Sequence, residues 1–280
     1  MAESDGTCLL AVFELNSELG NERLAMARIA QIAIGLAMPA ARREQLEYAV
    51  GEAVKNAIEH GNALNPELTV RVSVETRPGA LAVRVTDRGT GGQASHRETP
   101  DLTAKLAGLQ PPRGWGLYLI EHMVDEFRMI ESQQGHTVEL VLHLGLPDGE
   151  RSCTAEGSEN TMMASKVTMK ARPASREIAV IDIAGEVNAF AEDELMAAYA
   201  EATADGARTI VLNFTNVGYI NSSGIGLLVT LLIRANRNGH RLFAYGLGQH
   251  YRRIFELTRL NEAIRVFENE EAALDAAVVA

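Results

Sequence analysis

Cysteine is scarce in this chain of 280 residues: Cys8 and Cys153 are far apart and fit no metal-binding or redox spacing. Both are expected as free thiols of a reducing compartment. Basic charge is also short. Twenty-six Lys and Arg face 37 Asp and Glu, for a net charge of -11 and a pI near 5.2. A direct nucleic-acid ligand is therefore excluded, because phosphate binding wants a concentrated basic surface; a protein or a small molecule is the expected partner. Long hydrophobic runs are missing as well. No segment reaches the roughly 18 apolar residues of a membrane span, and the opening "MAESDGTCLLAVFEL" has neither a basic start nor an apolar run long enough for a signal peptide. Neither secretion nor membrane spanning is expected, and the cytoplasm is the simplest address.

What is present suffices for two cores, with 46% hydrophobic and 22% charged residues. From Gly145 to Ser165, "GLPDGERSCTAEGSENTMMAS" is rich in turn and polar residues and lacks periodicity, so it reads as a linker. The organisation expected is a domain over 1–144, a linker over 145–165 and a second domain over 166–280. The two blocks show no similarity at a fixed offset, so two different folds are expected rather than a repeat.

In the first block a strand is expected around Leu9–Leu15, then helices around Glu22–Ala37 and Ala41–Asn62. In "LTVRVSVETRPGALAVRVTDRG" the alternation of Val70, Val72, Val74 and Leu81, Val83, Val85 about Pro78-Gly79 predicts a half-buried antiparallel hairpin. "HTVELVLHL" alternates through Val138, Leu140, Leu142 and Leu144 and is expected to join the same sheet.

The helix "EYAVGEAVKNAIEHGN" carries the first chemistry. Leu46, Ala49, Val50, Ala53 and Ala57 make an apolar stripe, while Glu52, Asn56 and His60 recur at four-residue intervals on a different face. A solvated face would tolerate such residues, but it does not call for a carboxylate, an amide and an imidazole in that order. Glu52 is suited to taking a proton, Asn56 offers an uncharged oxygen to a hard cation such as Mg²⁺, and His60 reads as a structural residue at the helix end. "VTDRGTGG" then leaves a strand at Asp87 and turns through Gly89, Gly91 and Gly92. A carboxylate at a strand end can accept from the exocyclic amine of a purine. In "PPRGWGLYLIEHMVDEF", Gly114 and Gly116 precede a helix whose first amides favour an anion.

In order, "EAVKNAIEHG", "DRGTGG" and "RGWGLYLI" resemble the three nucleotide-binding boxes of the GHKL ATPase superfamily, and most of all its anti-sigma factor serine kinases, over about residues 8–144. The resemblance implies a Bergerat-type α/β sandwich with a mixed, largely antiparallel sheet, with ATP and Mg²⁺ as cofactors. It makes Glu52 the general base, Asn56 the Mg²⁺ ligand and Asp87 the adenine contact. Gly89, Gly91, Gly114 and Gly116 would line the pocket, and Arg113 would face the terminal phosphate. The family's glycine followed by two threonines appears as Gly135, His136 and Thr137, so an imidazole replaces one hydroxyl near the nucleotide while Thr137 keeps the other. Competing ATP chemistries fit less well. There is no G-x-x-x-x-G-K-[ST] loop and no H-R-D or D-F-G, and too little sequence precedes Glu52 for the phosphoacceptor hairpin of a histidine kinase.

The second block alternates strand and helix patterns, which implies an α/β layer with several parallel strands. Its "NVGYINSSGIGLLVTLL" places two serines where a strand passes into a helix, and one serine is enough to cap a helix. With "IAGEVNAF", "IVLNFTNVGYINSSGIGLL" and "GHRLFAYGL" in that order, residues 166–280 resemble a STAS domain of the anti-sigma factor antagonist type. The resemblance makes Ser222 the phosphoacceptor on an exposed turn, with Ser223 capping the helix. It departs from the family in having Asn221 and Asn188 where aspartates are common.

The function expected is that of a cytoplasmic partner-switching regulator, an Mg-ATP-dependent protein serine kinase fused to an antagonist-like STAS module. Its partners would be a sigma factor, a separate STAS antagonist and a serine phosphatase, with a homodimer formed through the kinase domain. Neither nucleic acid nor membrane is expected as a partner. The alternatives are a non-catalytic, nucleotide-gated binding protein that docks STAS or phosphatase partners, and a protein that sequesters a sigma factor directly.

Overall fold

The computed structural model describes residues 6–89, 98–132, 135–144 and 167–279. They form two compact units, and the division is not a single cut along the chain: Thr99–Trp115 belongs with the C-terminal unit. The expected linker and Cys153 lie outside the described residues. Cys8 is disulfide-bonded, which corrects the expectation of free thiols.

The first unit is built on a five-stranded sheet of β1 (Cys8–Asn16), β2 (Thr69–Arg77), β3 (Ala80–Thr86), β4 (Glu126–Ser132) and β5 (Gly135–His143). The strand order is β1-β2-β3-β5-β4, and every pairing is antiparallel. The hairpin expected at Pro78-Gly79 is present, with Gly79 at φ +70, a conformation glycine adopts without penalty. β4 escapes sequence reading because nothing punctuates the two residues separating it from the preceding helix.

Val70, Val72, Val74, Leu81, Val83, Leu140 and Leu142 are fully buried on one side of the strands. The alternate residues make a charged ladder: Glu139 accepts from Arg77 at 2.5 Å and from Arg84 at 2.9 Å, and lies opposite Arg84 and Arg128 in the register. Burial alone would raise the Glu139 carboxyl. The hydrogen bond and charge of Arg77, with Arg84 beside them, outweigh it and hold the group below its usual value.

Among the described residues three α-helices belong to this unit, α1 (Glu22–Gly35), α2 (Ala40–Asn56) and, beyond the segment assigned to the other unit, α4 (Gly116–Met123). α2 is packed by both α1 and α4, so it is buried well beyond its apolar stripe: Tyr48, Glu52 and Lys55 are covered along with Leu46 and Val50. The helix expected to run to Asn62 changes winding after Asn56, and Ala57–Gly61 form one π turn.

The second unit holds the sheet β10-β9-β8-β7-β6, made of β6 (Thr168–Pro173), β7 (Ile178–Val187), β8 (Thr209–Ile220), β9 (Arg241–Tyr245) and β10 (Arg265–Phe267). All neighbours are parallel except β6, an antiparallel edge strand. Its helices are α3 (Leu102–Leu106), α5 (Glu192–Ala204), α6 (Ser222–Arg237), α7 (Gln249–Leu257), α8 (Leu260–Ala263) and α9 (Glu270–Val279). Ile178, Val180, Val211 and Phe243 pack with Ala273 and Ala277 of α9 into one core cluster. Arg172 on β6 bonds both Asp182 on β7 (2.7 Å) and Glu270 on α9 (2.8 Å), and so fixes the edge strand to the sheet and to the last helix.

Candidate functional site

Asp87 stands one residue beyond β3 and is 6% exposed. Its backbone N–H still donates to the His136 carbonyl at 3.0 Å, which extends the β3–β5 ladder to the site. Its Oδ1 accepts from the Gly89 N–H at 3.2 Å and the His136 N–H at 3.4 Å, with the His136 Nδ1 at 3.3 Å. The imidazole that replaces a family hydroxyl therefore touches the proposed adenine contact itself.

Three glycines make this approach feasible. A Cβ on Gly61 would lie 2.3 Å from the Asp87 Cγ, one on Gly89 would lie 1.6 Å from the Gly61 carbonyl oxygen, and one on Gly135 would lie 2.0 Å from the Asp87 carbonyl oxygen. Gly135 also takes φ +130, a conformation other residues rarely adopt. Asn62 completes the arrangement: it is 2% exposed, its Oδ1 accepts from the Arg88 N–H at 2.9 Å, and its Nδ2 donates to the Ser17 Oγ at 2.7 Å. Gly61 and Asn62 close "EHGN", directly after the expected helix motif. Their signal in the sequence was the glycine-polar ending itself.

Glu52 and Asn56 lie one turn apart near the end of α2, with Glu52 fully buried and Asn56 half-buried. The π turn that begins just after Asn56 breaks the expected three-residue stack, and His60 is exposed, 3.9 Å from Glu59. Electrostatically, Glu52 is a neighbour of Glu22 at the start of α1. Burial raises the Glu22 carboxyl; the backbone N–H of Gly20 at 2.7 Å and the charge of Lys55 act against it, and the charge of Glu52 adds to it. Thr137 is spoken for by Thr86, whose hydroxyl lies 2.8 Å from its own.

Not all the expected pocket residues share a unit. Glu52, Asn56, Asp87, Gly89, Gly116 and Thr137 lie in the first; Arg113 and Gly114 lie in the second, where Arg113 is 3.7 Å from Glu192. Gly116 is the first residue of α4, as expected of a helix start, and Gly91 lies outside the described residues. Among the described residues no group of three His, Cys, Asp or Glu side chains is placed to hold a metal.

The serine corner differs from expectation in two respects. Asn221, not Ser223, caps α6: its backbone is extended and its Oδ1 accepts from the Gly224 N–H at 3.0 Å. Ser222 is the first helical residue and is 7% exposed, so the exposed acceptor turn is corrected to a covered one. The end of β7 runs against the helix start: a Cβ on Gly224 would lie 2.2 Å from the Val187 carbonyl oxygen. Asn188, the other amide substituting for an aspartate, likewise acts as a cap and accepts from the Phe190 N–H at 2.9 Å. Both amides therefore do work that a carboxylate would do equally well.

The model of the histidine kinase-like ATPase domain matches residues 15–142 and that of the STAS domain matches residues 170–273. The anti-sigma-B factor antagonist of Staphylococcus aureus is 33% identical over 91 residues, 32% of this chain and 84% of that protein; its Staphylococcus epidermidis counterpart is 29% identical over the same span. Among solved structures, the unphosphorylated anti-sigma factor antagonist SpoIIAA is 23% identical, with a TM-score of 0.35 over 40% of this chain and 98% of that one. The RsbU and RsbW domains of Rv1364c from Mycobacterium tuberculosis are 20% identical, with a TM-score of 0.36 over 48% of this chain and 31% of that one. The chain belongs to the family of the anti-sigma factor antagonists through its STAS domain at residues 170–273, and its residues 15–142 match the histidine kinase-like ATPase domain.

Proposed function

We propose that this protein is a partner-switching regulator whose first domain is an Mg-ATP-dependent protein serine kinase and whose STAS module carries an acceptor at Ser222. The observation that supports it most is the Asp87 site. A carboxylate at a strand end, with Gly61 pressed against it, the Gly89 N–H bonded to it and Gly135 against its main chain, suits a flat base that must approach main chain closely. Bound ATP would supply the phosphoryl group. Glu52 would take the proton of the attacking serine hydroxyl as the new phosphorus–oxygen bond forms and ADP departs, and Asn56 would hold Mg²⁺ through its amide oxygen together with the phosphates. Gly89, Gly91, Gly116 and Thr137 complete the proposed pocket, and a sigma factor, a separate STAS protein and a serine phosphatase are the partners proposed.

A second reading rests on the burial of Ser222: the first domain binds ATP without transferring phosphate, and the STAS module serves as a docking surface. Intact mass after incubation with Mg-ATP, with and without an added STAS protein, separates the two. A gain of one phosphate on Ser222 or on the added protein supports the kinase. Tight ATP binding with no mass change on either supports the docking protein.

A further inference from the structure

The segment Thr99–Trp115 lies inside the ATPase family match yet folds with the STAS module. It is a knot with its own order. Asp101 caps α3 by accepting from the Ala104 N–H at 2.8 Å, and the Gln110 side chain ties back to the Asp101 N–H (2.9 Å) and the Thr99 carbonyl (3.2 Å). Lys105, 2% exposed, donates to the carbonyls of Pro111 (2.6 Å) and Arg113 (2.7 Å), and its ammonium stands 5.0 Å from the centre of the Trp115 ring. Trp115, the single tryptophan of the chain, is 1% exposed and donates to the Pro112 carbonyl at 3.0 Å.

This knot sits on α6. A Cβ on Gly226 would lie 3.3 Å from the Arg113 Cγ, 3.5 Å from its Cα and 3.6 Å from the Pro112 carbonyl oxygen. Gly226 leaves room on the helix surface for the Arg113 side chain, while the main chain of Pro112 and Arg113 lies in ordinary contact with that position. Two ion pairs flank the contact, Arg113 with Glu192 at 3.7 Å and Arg259 with Asp101 at 3.9 Å. Beyond it, a cleft of about 490 Å³ separates Gly108–Pro111 from Thr230, Ile233 and Arg237 farther along the helix.

We propose that Thr99–Trp115 is an intramolecular occupant of the STAS module, clasped on the face of α6 that carries Gly226, one helical turn from Ser222. An external protein that reads that face has to displace it. The occupant is covalently tethered, so its local concentration is on the order of millimolar and a weak contact suffices to hold it. The inference does not depend on phosphoryl transfer.

Hydrogen–deuterium exchange on the full chain tests it, because protection reports local opening. In the wild type the amides of residues 102–110 should exchange at least tenfold more slowly than an unstructured chain. Gly226→Leu, whose side chain has no room under Pro112 and Arg113, should raise their exchange at least tenfold while β8 and β9 stay protected. Should Gly226→Leu lose β8 protection too, the double variant Glu192→Arg/Arg259→Glu, which sets like charges against Arg113 and Asp101, decides the matter by the same measurement. Acrylamide quenching of Trp115 should rise in parallel. Unprotected amides at 102–110 in the wild type, or unchanged protection in variants that keep β8 and β9 intact, would overturn the proposal whether or not the chain proves to be a kinase.

Discussion

A methyl group on Gly61 would stand 2.3 Å from the carboxyl carbon of Asp87, so the end of the α2 helical run and the end of β3 meet at a distance only glycine permits. Gly61→Ala should therefore move Asp87 and reduce ATP affinity at least tenfold, measured by calorimetry, while the far-ultraviolet dichroism is kept. Gly35→Ala is the control, since nothing lies within 4 Å of the added carbon. Equal ATP affinity in both variants would remove Asp87 from the proposed pocket.

Glu52 is fully covered, so truncating it to alanine would mix chemistry with a packing defect. Glu52→Gln keeps the volume and removes the base. Phosphoryl transfer is expected to fall by about 10² to 10⁴ with nucleotide binding retained. A Glu52→Gln protein that labels its acceptor at the wild-type rate would rule out the general-base assignment.

Because Asn221 holds the first free amides of α6, Asn221→Ala should cost about 1 kcal/mol in urea unfolding. Asn221→Asp should cost little, since aspartate caps equally well, and Ser223→Ala should cost less than Asn221→Ala. The reverse ranking of the two alanine variants would return the cap to Ser223.

Burial lowers the His250 imidazole from 6.5 to about 4. A histidine that resists protonation when folded favours the native state fully above pH 6.5, and that contribution drains away as the pH falls toward 4. The urea midpoint should accordingly decline between pH 7 and pH 4.5, and His250→Gln should decline less over the same window. Parallel slopes for the two proteins would show that His250 titrates normally.

The sequence made the sheet hairpin readable because Val70–Val74 and Leu81–Val85 alternate around a turn pair, and it made the Asp87, Glu52 and Asn56 motifs readable because their spacing is local. What it hid depends on contacts between distant segments. Nothing in "SSG" says that the Val187 carbonyl at the end of β7 lies against Gly224. Nothing in "PPRGW" says that Arg113 faces Glu192, some eighty positions onward. The burial of Glu52 was missed for the same reason: a helix packed on one side shows a stripe, whereas α2 is packed by α1 and α4 together.

The π turn at Ala57–Gly61 holds one residue more than an α turn would. The chain length between Asn56 and Asn62 is thus matched to a wider coil, and the reading frame there has structural meaning. Deleting Glu59 would let the coil tighten to α winding, and the shortened turn would sweep nearly the same angle as the turn it replaces, because a π turn takes about one residue more than an α turn. Gly61 and Asn62 would keep their approach to Asp87 and Arg88. At this one place a gap of one residue is a lighter lesion than it would be elsewhere in the helix.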